Sequence, residues 1–278
     1  MQSNFLETYE GFQIHFLEWK PKKQCNELPV ICIHGNLSNA RMYKWIGDEL
    51  SSERSENPRH VVAIDIRGCG ESGMPEKGFS LQHMAMDIEA VMMHLRISKA
   101  YFIAYSRGVA YALQYALRNP DHVQGMIIGD YPAYYTKLNE DWVKRMVNSY
   151  ELYDSWDSLY KAITSIEHLS REDFDARRED YYVEREGKVQ NRYLKEFPYR
   201  LQLESNDYDL SSAMDNINGK ILILKGNEEG SLLSDEQIMV YQQNNHEVVR
   251  VEQAGHDVFE PRKQVKEALM NYFKHIII

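Results

Sequence analysis

Short, uniformly apolar runs recur along the chain at 29–34, 60–64, 101–104, 123–128 and 220–225. Such runs are too short for buried helices, and a strand covered on both faces shows no alternation of apolar and polar positions. Each run therefore reads as an interior strand. Between them the spacing changes: Leu81, Met84, Ile88, Val91 and Met92 recur at helical intervals, with Ser80 placed to cap the start. Further helices are expected at 42–50, at 107–118 before Pro120, from Ser234 and from Pro261, with one more strand at 247–251. The methionines of the 80–95 helix read as core filler. The segments 5–9 and 12–19 flank Glu10-Gly11, a turn signal that makes them a hairpin at a sheet edge. Strands alternating with helices give a mostly parallel, doubly wound α/β sheet covered on both faces.

The alternation stops between Asp130 and about Asn218, where no buried strand run occurs and charged residues mix with aromatics at helical spacing. This predicts an inserted helical cap at 133–215, with 1–132 and 216–278 forming the core domain. The insertion is rich in aromatics, among them Tyr134, Tyr135, Trp142, Tyr150, Trp156 and Tyr181. They serve either to pack the cap or to line a substrate pocket.

Charge and composition narrow the partners. Forty-two acidic against 32 basic residues give a formal charge of -10, with no long Lys/Arg run to follow phosphates, so nucleic acid is not an expected partner. The first residues lack a basic and an apolar signal region, and no apolar stretch is long enough to span a bilayer, so no membrane association is expected. The closing run His275, Ile276, Ile277 and Ile278 reads as the end of a docked helix. Cys25, Cys32 and Cys69 cannot all pair and form no CxxC unit, which fits a reducing, cytoplasmic setting. No His/Cys/Asp/Glu cluster has metal spacing and the glycines around Cys69 form no dinucleotide fingerprint, so no cofactor is expected.

The sharpest chemical signal is Ala104-Tyr105-Ser106-Arg107-Gly108, because it closes a strand and opens a helix. A nucleophile on such a turn is lifted clear of the sheet, and small residues two before and two after let strand and helix pass closely. The plain alternative is a serine that caps the helix. Four motifs, in order, resemble the α/β-hydrolase superfamily over essentially the whole chain: Ile33-His34-Gly35, the loop from Asp65 through Arg67, Gly68 and Gly70 to Ser72, the Ser106 elbow, and Ala254-Gly255-His256. Ala104 stands where the superfamily usually has glycine.

The resemblance implies that Ser106 is the nucleophile and His256 the base that takes and returns its proton. Two carboxylates compete for the third place. Asp130 follows the 123–128 strand just ahead of Pro132, as in one branch of the superfamily, and is preferred; Glu229, after the 220–225 strand, is the alternative. The backbone N–H groups of Arg107 and Asn36 are the expected oxyanion donors. His34, Asp65 and Arg67 read as structural, and Cys69, with neither elbow nor base, is no nucleophile. Serine at the elbow excludes the carboxylate attack used by dehalogenases and epoxide hydrolases of this fold.

The expected activity is cleavage of a small-molecule carboxylic ester through an acyl-enzyme, with lactones, macrolide esters and thioesters in the same class. A C–C bond hydrolase using the same groups, or a slow-turnover ligand-binding receptor, are the alternatives. The Arg107 side chain, beside the nucleophile, is expected to pair with Asp130 or Glu229, or with an anionic or strongly polar substrate group.

Overall fold

The computed structural model describes the chain apart from residues 24–25, 56, 166–168, 244–245 and 275–278, and apart from the side chains of 240 and 243. Cys25 and the terminal run from His275 lie outside the described residues. The chain opens with an antiparallel hairpin, β1 (Gln2–Glu7) and β2 (Gln13–Trp19). There follow β3 (Val30–Ile33), α1 (Lys44–Leu50), β4 (Val61–Ile64), α2 (Leu81–His94), β5 (Ala100–Tyr105), α3 (Gly108–Arg118) and β6 (Val123–Gly129). The segment after β6 carries β7 (Tyr134–Tyr135), α4 (Glu140–Asn148), α5 (Trp156–Thr164), α6 (Arg171–Tyr181), β8 (Tyr182–Arg185), β9 (Lys188–Asn191), α7 (Phe197–Glu204) and β10 (Tyr208–Asp209). The chain then returns through β11 (Ile221–Gly226), α8 (Asp235–Gln243), β12 (Glu247–Val251) and α9 (Lys263–Lys274).

Eight strands form one sheet in the order β1-β2-β4-β3-β5-β6-β11-β12. From β4 to β12 every neighbouring pair is parallel, and only the hairpin and its junction with β4 are antiparallel. The apolar runs explain the order. β3, β4 and β11 are buried at every position, as strands covered on both faces must be, whereas β1 at the edge is buried at none. One face packs on α2 and α3 through Met84, Ile88, Val109 and Leu113; the other packs on α1 and α9 through Ile46, Leu50, Val265 and Leu269.

The inserted segment departs from the expected all-helical character. It also holds the β8–β9 hairpin and the β7–β10 pair. These strands are too short and too mixed in burial to print a periodic signal. The segment packs in two ways. Tyr135, Leu138, Val143, Tyr193, Phe197 and Leu201 join the cluster on the α2–α3 face. Leu159, Phe174 and Val189 instead form a small cluster of their own, ringed by Tyr153, Trp156, Tyr160 and Tyr182.

Ser80 precedes α2 as expected but does not cap it; its hydroxyl bonds His83 Nδ1 at 2.7 Å instead. No described helix is long and apolar enough to cross a membrane.

Candidate active site

Parallel strands carry the chain to one rim of the sheet, and the turns leaving β3, β5, β6, β11 and β12 meet there. The turn after β5 is the most constrained. Ser106 sits at φ 52°, a left-handed conformation that costs energy for a non-glycine residue. Its N–H donates to the Gly129 carbonyl at 2.9 Å, which ties the turn to the end of β6. Two glycines make the turn possible. A Cβ on Gly35 would lie 2.6 Å from Ser106 Cβ, and one on Gly108 would lie 2.5 Å from the carbonyls of Ile33 and His34. The residue in the N-cap position of α3 is Arg107, without a side-chain cap bond, and Ser106 Oγ has no hydrogen-bond partner among the described residues. The capping reading of Ser106 therefore does not describe this turn.

Asp130 follows β6, also in a left-handed conformation at φ 46°, and is fully buried. Its four bonds define its setting. Oδ2 accepts from His256 Nδ1 at 2.8 Å and from the Leu232 N–H at 2.9 Å. Oδ1 accepts from the Ser231 hydroxyl at 2.6 Å and from the Gly226 N–H at 3.2 Å. Burial alone would push this carboxyl up, but the His256 bond, then Ser231, Leu232 and Gly226, outweigh it and hold Asp130 below the ordinary carboxylate range. A charged carboxylate facing Nδ1 requires the proton on that nitrogen, which leaves the Nε2 lone pair free.

His256 is held from a second side by the Tyr105 ring, stacked at 4.8 Å with 29° between planes. The loop carrying it comes close to β11, because a Cβ on Gly226 would lie 1.6 Å from the Gly255 carbonyl oxygen. Glu229 belongs to the same crossing through its backbone, yet its side chain is exposed and has no ion-pair partner among the described residues. Of the two candidate carboxylates, the one at His256 is Asp130.

Ser106 and His256 line one cleft of ≈ 790 Å³, together with Asn36, Tyr105, Arg107, Tyr131, Trp142 and Leu232. No hydrogen bond joins Ser106 Oγ to the His256 ring, a contact that commonly tightens only when substrate is present. Among the described residues the backbone N–H groups of Asn36 and Arg107 have no acceptor. Trp142 is the aromatic of the inserted segment that faces this cleft, whereas Tyr153, Trp156 and Tyr160 pack elsewhere.

The remaining motif residues are structural. His34 Nδ1 bonds the Gly35 carbonyl at 2.6 Å and Nε2 accepts the Ile66 N–H at 3.1 Å. Asp65 accepts from the N–H groups of Ala40 and Glu71, and Arg67 pairs with Asp87. Cys69 is buried, which pushes its thiol well above the ordinary value. Among the described residues no three His, Cys, Asp or Glu side chains are grouped to hold a metal ion. Of the partners expected for Arg107, neither Asp130 nor Glu229 pairs with it. Its Nη1 donates to Thr136 Oγ1 at 3.3 Å and its guanidinium lies 3.9 Å from the centre of the Tyr135 ring.

A family profile described as the alpha/beta hydrolase fold matches residues 29–263. The AB hydrolase superfamily protein YisY of Bacillus subtilis is 31% identical over 91 residues, 33% of this chain and 32% of that protein. A haloalkane dehalogenase of Agrobacterium fabrum is 25% identical over 116 residues, 42% of this chain and 35% of that one. The chain thus matches about a third of the length of these curated relatives. Among solved structures, an alpha/beta hydrolase from Novosphingobium aromaticivorans superposes with a TM-score of 0.79 at 17% identity, covering 99% of this chain and 98% of the other. An esterase from Exiguobacterium antarcticum gives 0.72 at 20% identity, covering 98% and 100%. At these identities the likeness concerns the fold.

Proposed function

The chain belongs to the alpha/beta hydrolase fold family, and from that premise we propose that it is a serine hydrolase acting on carboxylic esters through an acyl-enzyme. The observation that carries this reading is a serine on a strained elbow, in one cleft with a histidine whose Nδ1 is held by a buried carboxylate.

In the proposed reaction His256 Nε2 takes the Ser106 proton as Oγ attacks the ester carbonyl. The imidazolium then gives that proton to the departing alcohol, leaving Ser106 acylated. Water repeats the sequence: His256 accepts its proton, the acyl carbon is attacked, and Ser106 Oγ leaves with the proton returned. Asp130 stays ionised throughout and balances the charge on the ring. The backbone N–H groups of Asn36 and Arg107 stabilise the oxyanion formed in both halves. No cofactor enters this scheme, and lactones, macrolide esters and thioesters fall within the same chemistry.

We further assign 133–215 as a cap over this cleft, since Trp142 and Leu138 line it together with Ser106 and His256. Two buried, unpaired thiols, Cys32 and Cys69, favour a reducing, cytoplasmic setting. The test is hydrolysis across esters of graded acyl size and across lactones, with the Ser106→Ala protein as blank. Turnover by the unsubstituted protein and none by the blank is expected; equal rates from both would sink the proposal.

A further inference from the structure

Arg107 is only 6% exposed, yet it is one of the residues lining the cleft that holds Ser106 and His256. Within the described structure no carboxylate meets it, and its Nε and Nη2 are buried without a hydrogen-bond partner. A desolvated guanidinium in that condition is costly. The Tyr135 ring, its centre 3.9 Å from the guanidinium, and the Tyr135 hydroxyl offset part of this. Nη1 is used by Thr136, so the two idle nitrogens, Nε and Nη2, share one edge of the fork, the edge that takes a carboxylate with two parallel bonds.

A second group points to the same ligand. Asn36 Oδ1 accepts from the Tyr111 hydroxyl at 2.8 Å, which fixes the amide and leaves its buried Nδ2 without a partner in the same cleft. The Tyr135 hydroxyl interacts with the Arg107 and Tyr111 side chains behind it. The cleft's charge agrees. Arg107, Lys137 and Arg145 line it against one described acidic residue, Asp141, which lies 3.9 Å from Lys144, in a chain whose formal charge is -10.

We propose that the Arg107 side chain is a specificity residue for an anion, and that the ester taken by this site carries a carboxylate on its acyl portion. This rests on the serine-hydrolase reading above. Arg107 thus acts twice, through its backbone N–H on the oxyanion and through its side chain on the distant carboxylate of the same acyl group. Asn36 Nδ2 supplies a further donor to that carboxylate.

The test begins with the unsubstituted protein. Calorimetric titration with glutarate and with its uncharged diamide measures the charge preference without turnover. Glutarate should bind at least about thirtyfold more tightly, the loss expected when charge-assisted hydrogen bonds go unmade. Arg107→Met should abolish the preference, and Arg107→Lys should keep part of it. In turnover, the ratio of kcat/KM for the 4-nitrophenyl monoester of glutarate to that for 4-nitrophenyl pentanoate should fall about thirtyfold in Arg107→Met. Being a ratio, it is independent of any general loss of activity in the variant.

Equal binding of glutarate and its diamide by a protein that still hydrolyses 4-nitrophenyl pentanoate would overturn the inference and leave the hydrolase reading standing. Tight binding of inorganic phosphate with none of glutarate would also overturn it. Glutarate binding that depends on Arg107, in a protein whose Ser106 resists a fluorophosphonate, would uphold the anion site and refute the hydrolase reading.

Discussion

Asp130→Asn is the most informative single perturbation of the proposed triad, because all four bonds to the carboxylate are known. Oxygen at both positions accepts: Oδ1 from Ser231 and Gly226, Oδ2 from His256 and Leu232. An amide can fill only one position with oxygen. If NH2 takes the Oδ2 place, it confronts the Leu232 N–H and forces the His256 proton from Nδ1 to Nε2, where it blocks acceptance of the Ser106 proton. If NH2 takes the Oδ1 place, the Ser231 hydroxyl can turn to accept, and only the Gly226 N–H at 3.2 Å is left facing a donor. The second arrangement is the milder for stability, but it still replaces a charged acceptor with a neutral one at His256. Each hydrogen bond to a charged group contributes about 1.5–3 kcal/mol, so a stability loss of about 2–4 kcal/mol is expected. The activity loss should be larger, on the order of 10⁴ in kcat, the scale found when a triad carboxylate is made an amide. Ester hydrolysis and thermal unfolding are measured side by side, with Glu229→Gln as comparison. Glu229 is exposed and should change kcat by less than about threefold, as surface substitutions away from special features do. Near-normal kcat in Asp130→Asn with a collapse in Glu229→Gln would refute the reasoning and move the acid's role to Glu229.

Three further outcomes are expected. Gly35→Ala places a Cβ 2.6 Å from Ser106 Cβ and should cost about 1–3 kcal/mol and much of kcat by displacing the nucleophile; unchanged kinetics would contradict the packing of the elbow. Tyr105→Leu removes the ring stacked on His256 and should lower thermal stability by about 0.5–1.5 kcal/mol and reduce kcat several-fold; a reduction in KM alone would contradict this. Burial holds the His34 imidazole below its ordinary value of 6.5, against the opposing pull of Asp65 and the Gly35 carbonyl. The unfolded chain therefore binds this proton more readily, so the contribution of neutral His34 is complete above pH 6.5 and is lost as the pH falls from there through the folded value. Unfolding temperature should drop between pH 6.5 and 5, and a rise over that interval would contradict it.

The central sheet was legible because strands covered on both faces write themselves as unbroken apolar runs, and every such run from Val30 to Lys225 is a strand of the sheet. The β8–β9 hairpin was not, since its residues are half-exposed and it packs through Val189 alone among its buried positions. Ser80 was placed correctly and assigned the wrong bond: a hydroxyl at a helix start has a competitor whenever a hydrogen-bonding side chain such as His83 lies one turn on. At the site, Ser106, Asp130 and His256 each follow a strand, so position in the topology marked them. Their supports come from elsewhere. Ser231 and Leu232 reach Asp130 from a loop a hundred residues away in sequence, and nothing local in Gly230-Ser231-Leu232 announces it. Tyr111 lies inside α3 with no local motif around it, yet its hydroxyl orients Asn36. Gly226 and Gly255 meet where two loops cross, a closeness that only the structure reveals.

Covalent trapping tests the central claim most directly. The protein is treated with a fluorophosphonate, its intact mass is followed with time, and the modified peptide is sequenced by tandem mass spectrometry. One phosphonyl group should be added, on Ser106, with no addition to Ser106→Ala and much slower addition to His256→Ala, because nucleophile and base act as a unit. Modification at another residue, or ester turnover by Ser106→Ala equal to that of the unsubstituted protein, would contradict the account.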